Sequence, residues 1–418
     1  MRVAFLVAEL GRSGGMAVIR EYARRLDDAV LVECSGKAHP HDDGGVRVAR
    51  LADMADEPPF DVAIATWWTT TEALWRLPAH RRAILLQGLD FAYFRDDEAA
   101  DRLGAQAVFD LPLDWLAVSP HLARCVKLVH PGACVRLVPP GIDKSIFTPV
   151  PVPAPRPAGR PLRVLVEGQP TLWFKGVAES IAAVRRMRLP ASVTLVAAEP
   201  GLAARESGAD RVEGGLDQPG MAALYADHDV LLKLSRFEGL GLPVLEAFHA
   251  GLPCVVTPFG GMRGVVEHGI NGLEVGFDDE PGTTAALDRL ASDPALLARL
   301  REGALATAER WPSWEDAAAA FSDALKALVA ADPPPVEGSL RAAADGRRRM
   351  VETTRIQEWR RRDAEGRAEW LQDAWQLADA RNAEYDGWTR ELGRRIDALQ
   401  SRPAFRVEER LRRLGRRG

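Results

Sequence analysis

The stretch SRFEGLGLPVLEAFHAGLPCVV, residues 235–256, sets two carboxylates, Glu238 and Glu246, eight positions apart on either side of a glycine-bearing turn and Pro243. Glutamate is costly to bury unless it is paired, yet both stand among leucines, valines and glycines. A carboxylate accepts hydrogen bonds on two oxygens, so it can take two vicinal hydroxyls of a ribose or another sugar as a fork. Val230–Leu234 before the segment reads as a strand, which makes Ser235–Leu242 the turn at its C-terminal end. Pro243 suits the first helical position, where its missing N–H is no loss, and Gly251 and Pro253 stop the helix. A strand, a Gly loop and a helix N-terminus present unpaired backbone N–H groups and a positive dipole end, which suit a phosphate. Gly239 and Gly241 allow a close backbone approach to a ligand. Glu246 falls on the first turn of the helix, so both carboxylates can face one cleft at the strand ends. Without context, the same residues also read as a solvated loop glutamate and a glutamate favouring the helix dipole.

Three further turns join this one. GRSGGM, with Gly14 and Gly15, follows the first strand and opens a helix. VEGQPTLWFKG ends a strand at Gly168 and places Lys175 just before a helix, where a cation can neutralise a diphosphate. In TPFGGMRGVVEHGINGLEV, Gly260 and Gly261 follow a strand. Asp227-His228-Asp229 is a D-x-D, a spacing some transferases use for a metal, but it precedes the strand VLLKL and reads as a helix-to-strand turn. No other His, Cys or acidic cluster has convincing ligand spacing, so no metal is expected.

The elements that must position these residues alternate. Short apolar strands are expected at Val3–Ala8, Val62–Thr66, Ala83–Gln87, Trp115–Ser119 and Val135–Val138, with a helix from about Met16 to Leu26. Runs apolar almost throughout suit parallel strands covered on both faces, an α/β layering. PVPVPAPRPAGRP, residues 149–161, holds six prolines and reads as an extended linker. Then the pattern restarts: strands at Leu162–Glu167, Val193–Ala197, Val230–Leu234 and Cys254–Thr257, helices at Val177–Met187, Met221–Tyr225 and Pro243–Ala250. ADPPP at 331–335 closes it.

The composition, 47% hydrophobic and 27% charged over 418 residues, is that of a soluble protein with large cores. The net charge of −5 divides unevenly: residues 336–418 carry 20 Arg, no Lys and 15 acids, about +5, which leaves about −10 on residues 1–335. An acidic body argues against nucleic acid as its partner. Cys34, Cys125, Cys134 and Cys254 are scattered without a C-x-x-C and read as reduced thiols. The N-terminus reads as a strand rather than a signal peptide, no run approaches a membrane span, and a cytoplasmic location is expected.

Residues 336–400 read as long helix. Trp359, Trp370 and Trp388 are 11 and 18 residues apart, near whole turns, so they share a face, with Trp375 off it. Such a stripe suits packing on the body, self-association or a partner helix, with sugar stacking as the sharper alternative. RPAFRVEERLRRLGRRG at the end is a basic amphipathic segment with Val407, Leu411 and Leu414 on one face. It suits an anionic membrane surface through 402–417, or a solvated helix end.

SRFEGLGLPVLEAFHAGLPCVV, the later GG turn and VVEHGINGLEV together resemble the donor-site signature of family-4-type retaining glycosyltransferases of the two-domain GT-B kind, whose hallmark is Glu, seven residues, Glu. The GG turn after strand one, VPPGIDKSIFTP running into the linker and the strand–Gly…Lys–Gly element fit the same family. The resemblance covers about residues 1–330. It implies two Rossmann-like domains facing each other across a cleft, 1–150 on the acceptor side and 151–333 binding the nucleotide sugar; 334–418, outside the resemblance, reads as a helical extension. It implies that Glu246 grips the ribose hydroxyls and that Glu238 contacts the transferred sugar. The backbone of Gly239, Leu240, Gly241 and Leu242 would hold sugar and phosphates, with Gly14, Gly15 and Gly168 approaching them. Lys175 would stabilise the leaving diphosphate. Where the family usually has Arg or Lys after Gly168, this chain has Gln169, and Arg12 or Arg263 are candidates for the absent charge. Where the first domain often has a His near the acceptor, this chain reads ILLQGLDFAYF, with Gln87 and Asp90 as candidates and Asp90 taken as the acceptor-side catalytic residue.

The expected function is transfer of a sugar from a nucleoside diphosphate to an acceptor hydroxyl, with no cofactor besides that donor. The acceptor would be a glycan or lipid-linked, in polysaccharide or cell-surface glycan assembly, at the inner membrane face. The alternative is a degenerate transferase serving as a non-catalytic subunit through its Trp-striped, Arg-rich tail.

Overall fold

A pleated position covered on both faces favours β-branched and other apolar side chains, and such runs form the strands here. The computed structural model describes residues 1–11, 13–36, 42–149 and 160–334, with nine further residues between 356 and 394. The first sheet has eight strands: β1 (Arg2–Val7), β2 (Asp28–Glu33), β3 (Asp42–Asp43), β4 (Val46–Arg50), β5 (Phe60–Ala65), β6 (Ala79–Leu86), β7 (Asp114–Ala117) and β8 (Val135–Leu137). Their order is β3-β4-β2-β1-β5-β6-β7-β8, parallel except for the β3–β4 pair. Helices α1 (Gly14–Ala23), α2 (Ala99–Ala107) and α3 (Pro120–Val129) follow strand ends. Side-chain caps fix two of these starts: Ser13 accepts from the Met16 N–H at 3.2 Å and Ser119 from the Leu122 N–H at 3.3 Å.

The second sheet has six parallel strands: β9 (Leu162–Glu167), β10 (Ala191–Ala197), β11 (Arg211–Gly214), β12 (Val230–Lys233), β13 (Cys254–Val256) and β14 (Gly272–Glu274), in the order β11-β10-β9-β12-β13-β14. Its helices are α4 (Val177–Arg185), α5 (Leu202–Arg205), α6 (Gln218–Ala226), α7 (Leu242–His249), α8 (Glu280–Ser292) and α9 (Pro294–Arg310). The register pairs Val166 with Leu232, which sets Glu167 and Lys233 side by side at the ends of β9 and β12. Since side chains alternate, these two share a face with Leu165 and Leu231, which pack in one core cluster with Tyr225, Val244 and Phe248 of α6 and α7.

The last helix of the body, α10 (Trp314–Ala330), departs from the expected boundary. The sequence pattern puts 151–333 in one domain, whereas α10 packs on the first. Phe321 stacks on Tyr22 at 4.1 Å between centroids, and Trp314 meets Tyr22 edge-on at 5.5 Å. The aromatic face of α10 finds its complement across the chain rather than beside it. β2, β3, β4, β11 and β14 lie outside the expected strands; β3 is two residues long, β4 carries two arginines in five residues and β14 is three residues long.

The chain divides into two compact units, Met1–Met350 and Val351–Gly418. In the second, the described residues, among them Ile356, Arg360, Arg367 and Arg394, are helical. The tryptophan stripe, the basic segment 402–418 and most of the proline-rich linker lie outside the described residues. No helix among the described residues is long and apolar enough to cross a membrane.

Candidate active site

The strand ends of both sheets meet at one seam. Ser119, fully buried at the head of α3, donates to the Gly239 carbonyl at 2.7 Å. A methyl group at Gly239 would fall 1.7 Å from the Gln87 carbonyl, so that position has to be glycine for the loop after β12 to lie on the loop after β6. The close approach expected of Gly239 toward a ligand is thus made to the first domain. Gly15 faces the Gln87 side chain, at 3.4 Å from a methyl placed on it, while Gly14 opens on free space. Trp173 donates through Nε1 to the Tyr93 carbonyl at 2.9 Å, and the rings of Tyr93 and Phe174 lie 4.8 Å apart. First-domain loops therefore cover the residues around Glu238.

Glu238 is the centre of a cation nest. Its Oε1 receives Lys175 Nζ at 2.8 Å and the Ser235 hydroxyl at 3.0 Å, and lies 2.9 Å from Lys233 Nζ. Lys233 in turn donates to Glu167 Oε2 at 2.6 Å. Desolvation by itself would raise the Glu238 carboxyl, but the charges and hydrogen bonds of Lys233 and Lys175 outweigh it and hold the group at about 2. For Lys233 the balance has the same outcome: desolvation lowers it, and Glu167 and Glu238 raise it well above the usual lysine range. Glu238 is a fixed anion and Lys233 a fixed cation at any working pH.

Lys175 reaches Glu238 because of its local backbone. A short turn, Trp173–Lys175, ends at Gly176 in the left-handed region with φ 65°, where a methyl would strike the Leu234 carbonyl at 2.3 Å. Gln169 turns away from the nest: its Nε2 donates to the Glu199 carbonyl at 3.0 Å, and its Oε1 is buried without a partner among the described residues. Of the candidates for the absent charge, Arg263 is exposed and Arg12 lies outside the described residues.

Glu246 sits elsewhere. α7 starts at Leu242, capped by Gly241 at φ 87°, so Glu246 is its fifth residue and not on the first turn as expected. It faces α6, where the Tyr225 hydroxyl donates to Oε2 at 2.9 Å. Desolvation lifts its carboxyl to about 7, against the pull of the Tyr225 hydrogen bond and with a push from the Glu167 charge. Leu240 is buried and Leu242 half-buried, both beside the turn. Gly241 is crowded by Phe259 and Met262, so its conformation serves the turn itself.

On the first domain, Asp90 accepts from the Trp68 N–H at 3.0 Å, and desolvation raises it to about 7 in spite of that bond. The D-x-D is committed to structure: Asp227 and Asp229 both pair with Arg163, at 2.6 and 3.2 Å. Sequence reasoning missed Lys233, Glu167, Tyr225 and Ser119. A lysine inside the apolar run VLLKL was a visible signal, since lysine is seldom fully buried unpaired. Nothing in the sequence marked Tyr225.

Residues 163–293 match the family model described as Glycosyl transferases group 1. Among known proteins, the D-inositol 3-phosphate glycosyltransferase of Thermobispora bispora is 29% identical over 312 residues, spanning 66% of this chain and 72% of that protein. Among solved structures, sucrose-phosphate synthase from Thermosynechococcus elongatus aligns with a TM-score of 0.66 at 20% identity, over 79% of this chain and 100% of that one. Anabaena HepE in complex with UDP and glucose aligns with a TM-score of 0.63 at 16% identity, over 78% and 100%. The fold is the expected one, two parallel-sheet α/β domains in the GT-B arrangement. The matches in sequence support a glycosyl transferase of group 1.

Proposed function

We propose that this chain is a retaining glycosyltransferase that moves a sugar from a nucleoside diphosphate to a hydroxyl of a glycan or of another polyol, without a required metal. The observation that carries the reading is the nest around Glu238: an anion with one oxygen held by two ammonium groups, at strand ends, beneath loops of the other domain. Such a carboxylate can accept from a hydroxyl of the transferred sugar through its other oxygen. Lys175 and the N-terminus of α7 can meet the charge that develops on a departing diphosphate. Glu246 accepts from the ribose hydroxyls. Asp90 lies on the acceptor side, and the departing diphosphate takes the acceptor proton on the face it vacates. Gly14, which opens on free space, leaves room for phosphates, with Gly15 and Gly168 beside them. The relative named for D-inositol 3-phosphate supports a hydroxyl-bearing ring as the acceptor class, and HepE with UDP and glucose supports a nucleoside diphosphate sugar as the donor. The family resemblance supports a role in polysaccharide or surface glycan assembly at the inner membrane face.

A second reading has one observation in its favour. Gln169 is neutral and hydrogen-bonded away from the nest, so one charge of the family's diphosphate clamp is gone. On that reading the chain is a non-catalytic subunit acting through 334–418. A screen of UDP-, GDP-, ADP- and dTDP-sugars with the full chain decides between them. Stabilisation by one nucleotide sugar, with release of its nucleoside diphosphate, is expected. No thermal shift with any nucleotide at millimolar concentration would turn the assignment to the subunit.

A further inference from the structure

Lys233 has no task in the reaction just proposed. Its side chain is 0% exposed, so a nucleotide cannot touch it. A buried ion pair is weak grounds for stability, because apolar residues of similar volume often serve as well or better. An ammonium under the site therefore calls for another reason, and the geometry around Glu238 supplies one.

All three donors of the nest converge on a single oxygen. Lys175, Lys233 and Ser235 reach Oε1 at 2.8, 2.9 and 3.0 Å, while Oε2 accepts from no described residue. Two of the three cannot leave, since the Lys233 side chain and Ser235 are fully buried. Lys175 can: its side chain keeps 18% exposure, at the end of the short turn before Gly176. Resting on the donor-site reading, we propose that Lys233 is a positioning residue that keeps Glu238 paired and in place while Lys175 moves from Glu238 to the diphosphate. Glu167 is its counter-charge, 2.6 Å away, and lets the ammonium be buried. With Gln169 neutral, this chain releases its movable cation by holding the carboxylate from below. Without Lys233, drawing Lys175 to a phosphate would leave Glu238 held by the Ser235 hydroxyl alone, and the phosphate would compete with Glu238 for one ammonium.

The test is calorimetric titration of the full chain with UDP, GDP, ADP and dTDP. In Lys233→Met the affinity for the nucleoside diphosphate that wild type binds should fall by about tenfold, although residue 233 is out of its reach. Lys175→Met should also lose affinity, and the double variant should bind no more weakly than Lys175→Met. Additive losses, or unchanged affinity in Lys233→Met, overturn the proposal. Where Lys233→Met alone fails to fold, Glu167→Gln/Lys233→Met removes both charges and carries the same expectation. A second readout needs neither nucleotide nor activity. With ¹³C-labelled glutamate, the infrared carboxyl signal lost in Glu238→Gln should titrate at higher pH in Lys233→Met than in wild type, and an unmoved titration overturns the hold on Glu238. If that titration moves but wild type binds no nucleoside diphosphate, the donor reading fails and takes the release of Lys175 with it.

Discussion

Glu238 and Glu246 leave one loop and helix eight residues apart, and the fold sends them to opposite states. Both lose water. Glu238 gains two ammonium groups and stays ionised down to about 2, whereas Glu246 gains one neutral hydroxyl and a nearby anion and rises to about 7. The difference follows from where each points. Glu238 turns over the end of β12 toward Lys175 and Lys233, and Glu246 turns toward Tyr225 on α6. Desolvation is common to both, so the charge that faces each carboxyl decides its state. The pair teaches that a repeated residue type in one motif need not mean a repeated state: one carboxylate is held ionised, the other titrates at about 7.

Glu238→Gln should break that comparison most severely. Transfer should drop by about 10²-fold or more, because an amide cannot act as the fixed anion. The turn between the two carboxylates comes next. Gly239→Ala puts a methyl where the Gln87 carbonyl stands, 1.7 Å away, so the loop must withdraw from the first domain. Turnover should fall by about tenfold and the melting temperature should drop with it, since the clash is with backbone, and an unchanged rate would show that this contact is not needed.

Glu246→Gln sharpens the comparison through pH. The wild-type carboxyl is ionised only above about 7. Nucleoside diphosphate affinity should therefore fall as pH drops through 7 more steeply in wild type than in the variant, with the two converging at pH 5.5. Stability runs the other way. A carboxyl raised in the folded state from its ordinary 4.5 favours folding most at low pH, and that contribution is lost as pH rises toward 7. Glu246→Gln should thus melt higher than wild type at pH 8, with the gap closing near pH 4.5. The smallest effect is expected for Tyr225→Phe. It removes one hydrogen bond, about 1 kcal/mol, and that bond lowers the Glu246 carboxyl, so the pH at which affinity falls should move upward. A downward movement would contradict the stated balance.

Much of this is legible in the sequence. The apolar runs of β1, β5, β9 and β12 named parallel strands, and glycine, proline and the two glutamates named the loop between β12 and α7. What was not legible depends on register and on distant partners. Lys233 in VLLKL and Glu167 at the end of LRVLVE were each visible, but only the pairing of Val166 with Leu232 makes them neighbours. That Tyr225 of α6 meets Glu246 of α7 depends on how the two helices pack, which the sequence does not show. Gly239 looked like room for a ligand because a sequence cannot show that Gln87 comes from the other domain to fill it. α10 could not be assigned to the first domain, since its partners Tyr22 and Phe5 lie some three hundred residues away.

The central claim, that the two carboxylates do different work in one donor site, has a direct test in nucleoside diphosphate affinity at pH 8 for wild type, Glu238→Gln and Glu246→Gln. Removing the anion at 238 frees Lys175 for the phosphates, so Glu238→Gln should bind at least as tightly as wild type while losing transfer. Removing the carboxylate at 246 should weaken binding by about tenfold. Equal weakening in both variants, or no change in either, would contradict the account.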